Sequence, residues 1–201
     1  HGYLISQFLS PLANQRDDQW GGDPERRRSF LLELVRATRA QVGVDKIVAV
    51  KLNSADFQRG GFTEEESLEV IRLLGESGVD LLEISGGTYE KPAMVGAAHR
   101  GRSASTAARE AYFLEFAEKA RQMTSMPLML TGGMRSSRAM SEALSEGIDI
   151  IGIARPVCLE PDLPGRLIAD PSAISRLSPI RTGVSTLDAP ADLWWSNIQI
   201  H

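Results

Sequence analysis

Residues 47–87 read IVAVKLNSADFQRGGFTEEESLEVIRLLGESGVDLLEISGG. Ile47-Val48-Ala49-Val50-Lys51-Leu52 is a short, β-branched apolar run, the pattern of a strand buried in a parallel sheet. Thr63-Glu64-Glu65-Glu66 opens a helix with a capping box: Thr63 can bond the Glu66 amide while the Glu66 side chain reaches back. Leu68, Ile71 and Leu74 then give the helix one apolar stripe, and Gly78 stops it. Val79 to Ser85 reads as a second strand, closed by Gly86-Gly87. Strand, capped helix and strand in succession imply parallel pairing through a right-handed crossover.

The same rhythm extends both ways from this unit. On the amino-terminal side, Asp23 can cap a helix, Pro24 suits its first position and Glu25 suits its positive end. Phe30, Leu31, Leu34, Val35 and Val42 recur at helical spacing before Gly43. The Arg26-Arg27-Arg28 run lies near this helix start, where positive charge is unfavourable, so pairing with Asp17, Asp18 or Asp23 is expected. On the carboxyl side, a long loop from about Thr88 to Thr106 precedes a helix over 107–123 with Tyr112, Phe113, Phe116 and Ala120 on one face. Loops of that length are candidate lids. A strand follows over 127–131, ended by Gly132-Gly133. Ser136 caps a fourth helix carrying Ala139, Met140, Ala143 and Leu144, and Gly147 stops it. A fourth strand spans 148–153, a short helix 161–168, and the Pro/Ser/Thr-rich tail from Pro171 ends near Trp194-Trp195.

The fold class is therefore α/β, either a doubly wound sheet or a (β/α)₈ barrel. A barrel usually needs about 250 residues for its eight units. With 201 residues and four predicted strands, a barrel reading makes this roughly a second half. Composition narrows the function classes. Hydrophobic residues at 42% and charged residues at 24% suffice for a buried core. The net charge of −4 argues against nucleic acid as a partner. No apolar run approaches the roughly 18 residues of a membrane helix. The single cysteine, Cys158, cannot form an internal disulfide and fits a reducing, cytoplasmic setting, where it serves as a small hydrophobe. The three histidines are far apart, so no metal-ligand spacing exists.

In either architecture the chemistry sits at the carboxyl ends of the strands. Gly132-Gly133 and Ala154-Arg155 follow two consecutive strands there. Glycine lets a backbone approach an anion, and arginine brings forked donors suited to phosphate. Lys51 lies near the end of the first strand, where it needs either an anion or a counter-charge such as Glu83, one strand over. Tyr89 and His99, the latter among Arg100 and Arg102, lie in the long loop and read as substrate-facing or as solvated.

His1-Gly2-Tyr3-Leu4-Ile5-Ser6-Gln7-Phe8-Leu9-Ser10-Pro11 resembles the active-site stretch of the Old Yellow Enzyme family, the FMN-dependent NADH:flavin oxidoreductases. Asn14-Gln15-Arg16-Asp17-Asp18-Gln19-Trp20-Gly21-Gly22 is similar to the N-x-R-x-D-x-aromatic-G-G signature of that family, continued by Glu25, Arg27 and Phe30. Leu130-Thr131-Gly132-Gly133 and Gly152-Ile153-Ala154-Arg155-Pro156 resemble its two FMN-phosphate loops. Lys51 to Phe57 is similar to the NADH oxidase-like branch. The resemblance covers about residues 1–170 and implies a (β/α)₈ barrel with FMN at its mouth, of which this chain is the carboxyl-terminal part, followed by a tail over 171–201 that packs on the barrel or a neighbour. It implies hydride transfer from NADH or NADPH to FMN and on to an activated alkene such as an α,β-unsaturated carbonyl.

By the same resemblance Tyr3 is the proton donor, and His1 is the second member of the pair that bonds the substrate oxygen. Lys51 faces the pyrimidine end of the flavin. Gly132, Gly133, Ala154 and Arg155 hold its phosphate. The first histidine of the pair and the family's first four strands have no counterpart here. The expected partners are a small-molecule substrate and either another copy or the missing amino-terminal half. The rival reading is a non-catalytic half-barrel that binds a phosphate-bearing ligand or acts in assembly.

Overall fold

The structure, a computed structural model, describes residues 3–85, 102–177, 180 and 182–199. His1, Gly86-Gly87, Tyr89, His99 and Arg100 lie outside the described residues. The elements run α1 (Leu4–Leu9), α2 (Pro24–Val42), β1 (Ala49–Asn53), α3 (Glu64–Glu76), β2 (Leu81–Ser85), α4 (Arg102–Met123), β3 (Leu128–Thr131), α5 (Ser137–Ser145), β4 (Ile150–Gly152), α6 (Arg155–Leu159), α7 (Leu163–Ala169) and α8 (Ser185–Ile198).

The strands form one parallel sheet in the order β1-β2-β3-β4. Register follows the apolar pattern. Leu52 pairs with Ile84, Leu82 with Leu128, and Ile84 with Leu130. These side chains form one buried face, which shares its core with Ile71, Leu74, Phe113, Phe116 and Ala120 of α3 and α4. The alternate positions Lys51, Glu83 and Met129 lie on the other face, which is open enough to leave Ile150 at the β4 edge exposed.

Local signals set most helix ends. The Arg26 amide donates to Asp23 at 2.9 Å, and both halves of the Thr63–Glu66 capping box form. The Ala139 amide donates to Ser136 Oγ at 3.2 Å. Three expectations change. Helix α4 begins at Arg102 rather than Ala107, because Arg102 to Thr106 contains neither Gly nor Pro and propagates the helix backwards. The tail contains α8, which packs on α6. Of the Arg26–Arg28 run, Arg26 takes one of the nearby aspartates as expected, and the other two arginines do not. Arg26 pairs with Asp23, whereas Arg27 pairs with Glu66 and Arg28 lies 4.0 Å from Glu69. Leu34, Val42 and Leu144 follow the helical apolar spacing yet are exposed.

Candidate functional site

The carboxyl ends of the four parallel strands, Asn53, Ser85, Thr131 and Gly152, point the same way. Six of the seven expected site residues, all but His1, sit on two separate parts of that rim.

At the β1 side, Tyr3 is the N-cap residue of α1. Its backbone carbonyl accepts from the Gln7 amide at 2.9 Å and from the Ser6 hydroxyl at 2.8 Å. Its side chain is 66% exposed, so it is no core tyrosine. Tyr3 and Lys51 line one groove of about 840 Å³, together with Leu31, Val35, Leu52, Asn53 and Asp56. The Lys51 ammonium donates to Glu83 Oε1 at 2.6 Å, so the cross-strand pairing offered by the sequence is present. Helix α1 is held from behind. Asn14 donates from one amide nitrogen to the carbonyls of Phe8, at 2.8 Å, and Trp20, at 2.7 Å. The buried Arg27 donates to the Leu9 carbonyl at 2.9 Å and pairs with Glu66. Both the Phe8 and Leu9 carbonyls belong to the last turn of α1, which has no intrahelical donors left for them. The Asn14–Gly22 signature is thus a knot that fixes the helix beginning at Tyr3.

Helix α4 brings to the loop after β1 a group that sequence reasoning did not assign to the rim. The Tyr112 hydroxyl of α4 lies 3.0 Å from Ser54 Oγ and 3.4 Å from Glu64. Burial pushes the Tyr112 phenol up to about 12. Phe57 stands at φ 58 and meets the Tyr112 ring edge-on, with centroids 5.3 Å apart.

At the β3–β4 side, Gly132 and Gly133 have φ of 142° and 72°, values that L side chains rarely adopt. The Met134 amide folds back to the Gly132 carbonyl at 2.8 Å. Thr131 pairs with Gly152, and a Cβ on Gly152 would fall onto the Thr131 hydroxyl. That hydroxyl is buried and has no hydrogen-bond partner among the described residues. Ala154 and Arg155 follow β4, with Arg155 half-buried at the start of α6. The structure therefore brings Gly132, Gly133, Ala154 and Arg155 to neighbouring strand ends, two strands away from Lys51.

The NADH:flavin oxidoreductase / NADH oxidase family matches residues 1–170. The chain belongs to that family. An NADH-dependent flavin oxidoreductase, iccE of Talaromyces variabilis, is 36% identical over 97% of this chain and 51% of its own length. Among solved structures, a 2-naphthoyl-CoA reductase in complex with 2-naphthoyl-CoA is 31% identical, with a TM-score of 0.73 over 86% of this chain and 26% of that one. The Old Yellow Enzyme homologue of Zymomonas mobilis, at 21% identity, shares the fold with a TM-score of 0.63 over 87% of this chain and 46% of that one. The chain thus spans about half the length of some relatives and a quarter of others. Its four-stranded sheet is part of a (β/α)₈ barrel.

The family's cofactors are FMN and NAD(P)H, and the residues present fit the flavin phosphate. The β3–β4 end offers a glycine turn that leaves the backbone accessible, an arginine and an orphaned buried hydroxyl, a set suited to an anion with several acceptor oxygens. No three His, Cys, Asp or Glu side chains gather into a metal site among the described residues. No helix among them is long and apolar enough to cross a membrane.

Proposed function

We propose that the chain is the carboxyl-terminal part of an FMN-dependent oxidoreductase that takes hydride from NAD(P)H and reduces an activated alkene such as an α,β-unsaturated carbonyl. The observation that carries this reading is the division of one strand-end rim into an anion-suited turn at Gly132-Gly133 and an exposed phenol, Tyr3, sharing a groove with Lys51. FMN, when bound, supplies the two-electron carrier between the nicotinamide and the alkene. Everything else is asked of the chain's own side chains.

Gly132, Gly133, Ala154 and Arg155 hold the phosphate, with the Thr131 hydroxyl as a further donor. Lys51 stabilises negative charge at the pyrimidine end, and Glu83 sets the direction in which its ammonium points. Tyr3 gives its phenolic proton to the substrate α-carbon as hydride reaches the β-carbon, and is reprotonated from solvent. A phenol suits this task because it is neutral at pH 7 yet can yield a proton to a developing carbanion. His1 bonds the substrate oxygen and stabilises its developing charge. Residues 1–170 form the barrel part and 171–201 a tail packed on it, acting in a cytoplasmic setting. A second copy or a further half-barrel pairs with the sheet edges at β1 and β4.

The test uses the full chain incubated with FMN and desalted. A retained flavin band should bleach with NADH in the absence of air and return on adding 2-cyclohexenone. Tyr3→Phe should leave bleaching intact and slow the return by about 10²–10⁴-fold, the usual worth of a positioned acid. Loss of the band on desalting would instead favour the non-catalytic half-barrel.

A further inference from the structure

Behind the phosphate-side turn, the chain doubles back on itself. Residues 173–177 run antiparallel to 135–137, directly after Gly132-Gly133-Met134. The Ser137 amide donates to the Ala173 carbonyl at 2.9 Å, and the Ser175 amide to the Arg135 carbonyl at 2.8 Å. Ser136 and Ile174 form an antiparallel bridge between them. Arg135 donates to the Leu177 carbonyl at 3.0 Å, and the buried Ser137 hydroxyl donates to Leu167 of α7 at 2.7 Å. This strap fixes the exit of the glycine turn.

One buried carboxylate holds the strap in place. Glu160 Oε1 accepts from the Ser175 hydroxyl at 2.7 Å and from the Arg176 amide at 2.9 Å. Its Oε2 pairs with Arg166 of α7. Glu160 is also the C-cap of α6, its amide donating to Pro156 at 2.9 Å. It therefore sits one turn beyond Arg155 along the chain and reaches Arg135 through Ser175. Beyond the pairing of β3 with β4, this side chain adds a tie between the two strand-end loops that bear Gly132-Gly133 and Ala154-Arg155.

We propose that Glu160 is a positioning residue for the phosphate site: its carboxylate, through Ser175 and Arg166, holds the Gly132-Gly133 turn and Arg155 at the separation that a phosphate monoester requires. This rests on the FMN reading given above. A buried ion pair adds little stability over well-packed apolar side chains, whereas its directional bonds fix geometry. Glu160 has such bonds to two separate stretches of chain, the strap at Ser175-Arg176 and α7 at Arg166. Burial pushes its carboxyl up, but Ser175, Arg166 and the Arg176 amide together hold it below the ordinary carboxylate range, so it stays charged at neutral pH.

Riboflavin, which is FMN without its phosphate, separates this role from general support. Binding of each flavin to the full chain is followed by quenching of flavin fluorescence, with no turnover required. Glu160→Gln keeps the shape but gives up the charge facing Arg166. It should weaken FMN about tenfold, the scale of one charge-assisted hydrogen bond, and leave riboflavin unchanged. Equal weakening of both flavins, or no change in either, overturns the proposal. Ser175→Ala removes one bond to the carboxylate and carries the same test, with a smaller expected shift in the FMN-to-riboflavin ratio, should Glu160→Gln fail to fold. A wild-type chain that binds riboflavin as tightly as FMN would overturn the phosphate assignment itself, and the proposal with it.

Discussion

The two ends of the sheet are finished differently. At β4, the chain returns to brace its own loops: the strap over 173–177, α7 and Glu160 surround the turn at Gly132-Gly133. At β1, no further strand pairs among the described residues, and the groove beside that strand stays open to about 840 Å³. The Gly132-Gly133 end is therefore built from local chain, while the Tyr3–Lys51 end borders space that other chain would fill in a complete barrel. An anion site formed by backbone and one arginine can be finished by neighbouring sequence. The end proposed to carry the reaction needs walls from more distant strands.

The strongest way to break this contrast is at Arg27, which substitutes for missing neighbours at the open end. Its guanidinium is nearly buried, caps the last turn of α1 through Leu9 and pairs with Glu66. Arg27→Ala should cost about 3–5 kcal/mol, because it breaks a largely buried ion pair and leaves the Leu9 carbonyl without its donor, although Glu66 keeps the Thr63 amide. Urea unfolding of the full chain measures this. A loss below 1 kcal/mol would mean that α1 is held by packing alone.

Some of this was legible in the sequence and some was not, and the division follows chain distance. The caps at Asp23, Thr63 and Ser136 depend on residues three positions away, so residue type and spacing sufficed. The parallel strands followed from their apolar runs. Arg27 was a different matter: its partner Glu66 lies beyond a whole helix and strand, and the nearby aspartates were the natural expectation. The Asn14–Gly22 signature was visible as a motif, but its job as a knot behind α1 required coordinates. Helix α8 was hidden by the Pro, Ser and Thr content of the tail. The strap over 173–177 has no periodic signal, since it is held by backbone bonds and one distant carboxylate. Lys51 was legible with both of its outcomes, and Glu83 is the partner it has.

A second comparison sharpens the contrast between the two faces of the sheet. Leu130 is fully buried against the helices, whereas Ile150 on the neighbouring strand is 43% exposed. Leu130→Ala should cost about 2–5 kcal/mol through lost burial and a residual cavity. Ile150→Ala should change stability by no more than about 0.5 kcal/mol. Thermal unfolding of both variants decides it. A large loss at Ile150 would show that the open face is covered in solution, for which a second copy is the simplest source.

The smallest effect is expected at Tyr112, which joins α4 to the loop after β1 without belonging to either end. Its phenol is pushed up to about 12 by burial first, with the Ser54 bond opposing the rise and the neighbouring Glu64 carboxylate adding to it. The sign follows from linkage. A folded-state value above the unfolded one, near 10 for tyrosine, stabilises the fold fully below pH 10, and that contribution is lost as pH rises toward 12. The chain should therefore lose stability between about pH 10 and 12, and Tyr112→Phe should lose less over the same range. Urea midpoints taken at pH 9 and pH 11 give the comparison, with the near-neutral pair serving as the baseline for the lost hydroxyl contact. If the two proteins fall in parallel, the alkaline loss belongs to other groups and Tyr112 is not the hinge between α4 and the β1 loop. If the wild-type loss is selectively steeper, the loop bearing Ser54 and the strained Phe57 is seated by a protonated phenol, which links the open end of the sheet to the helix over its middle.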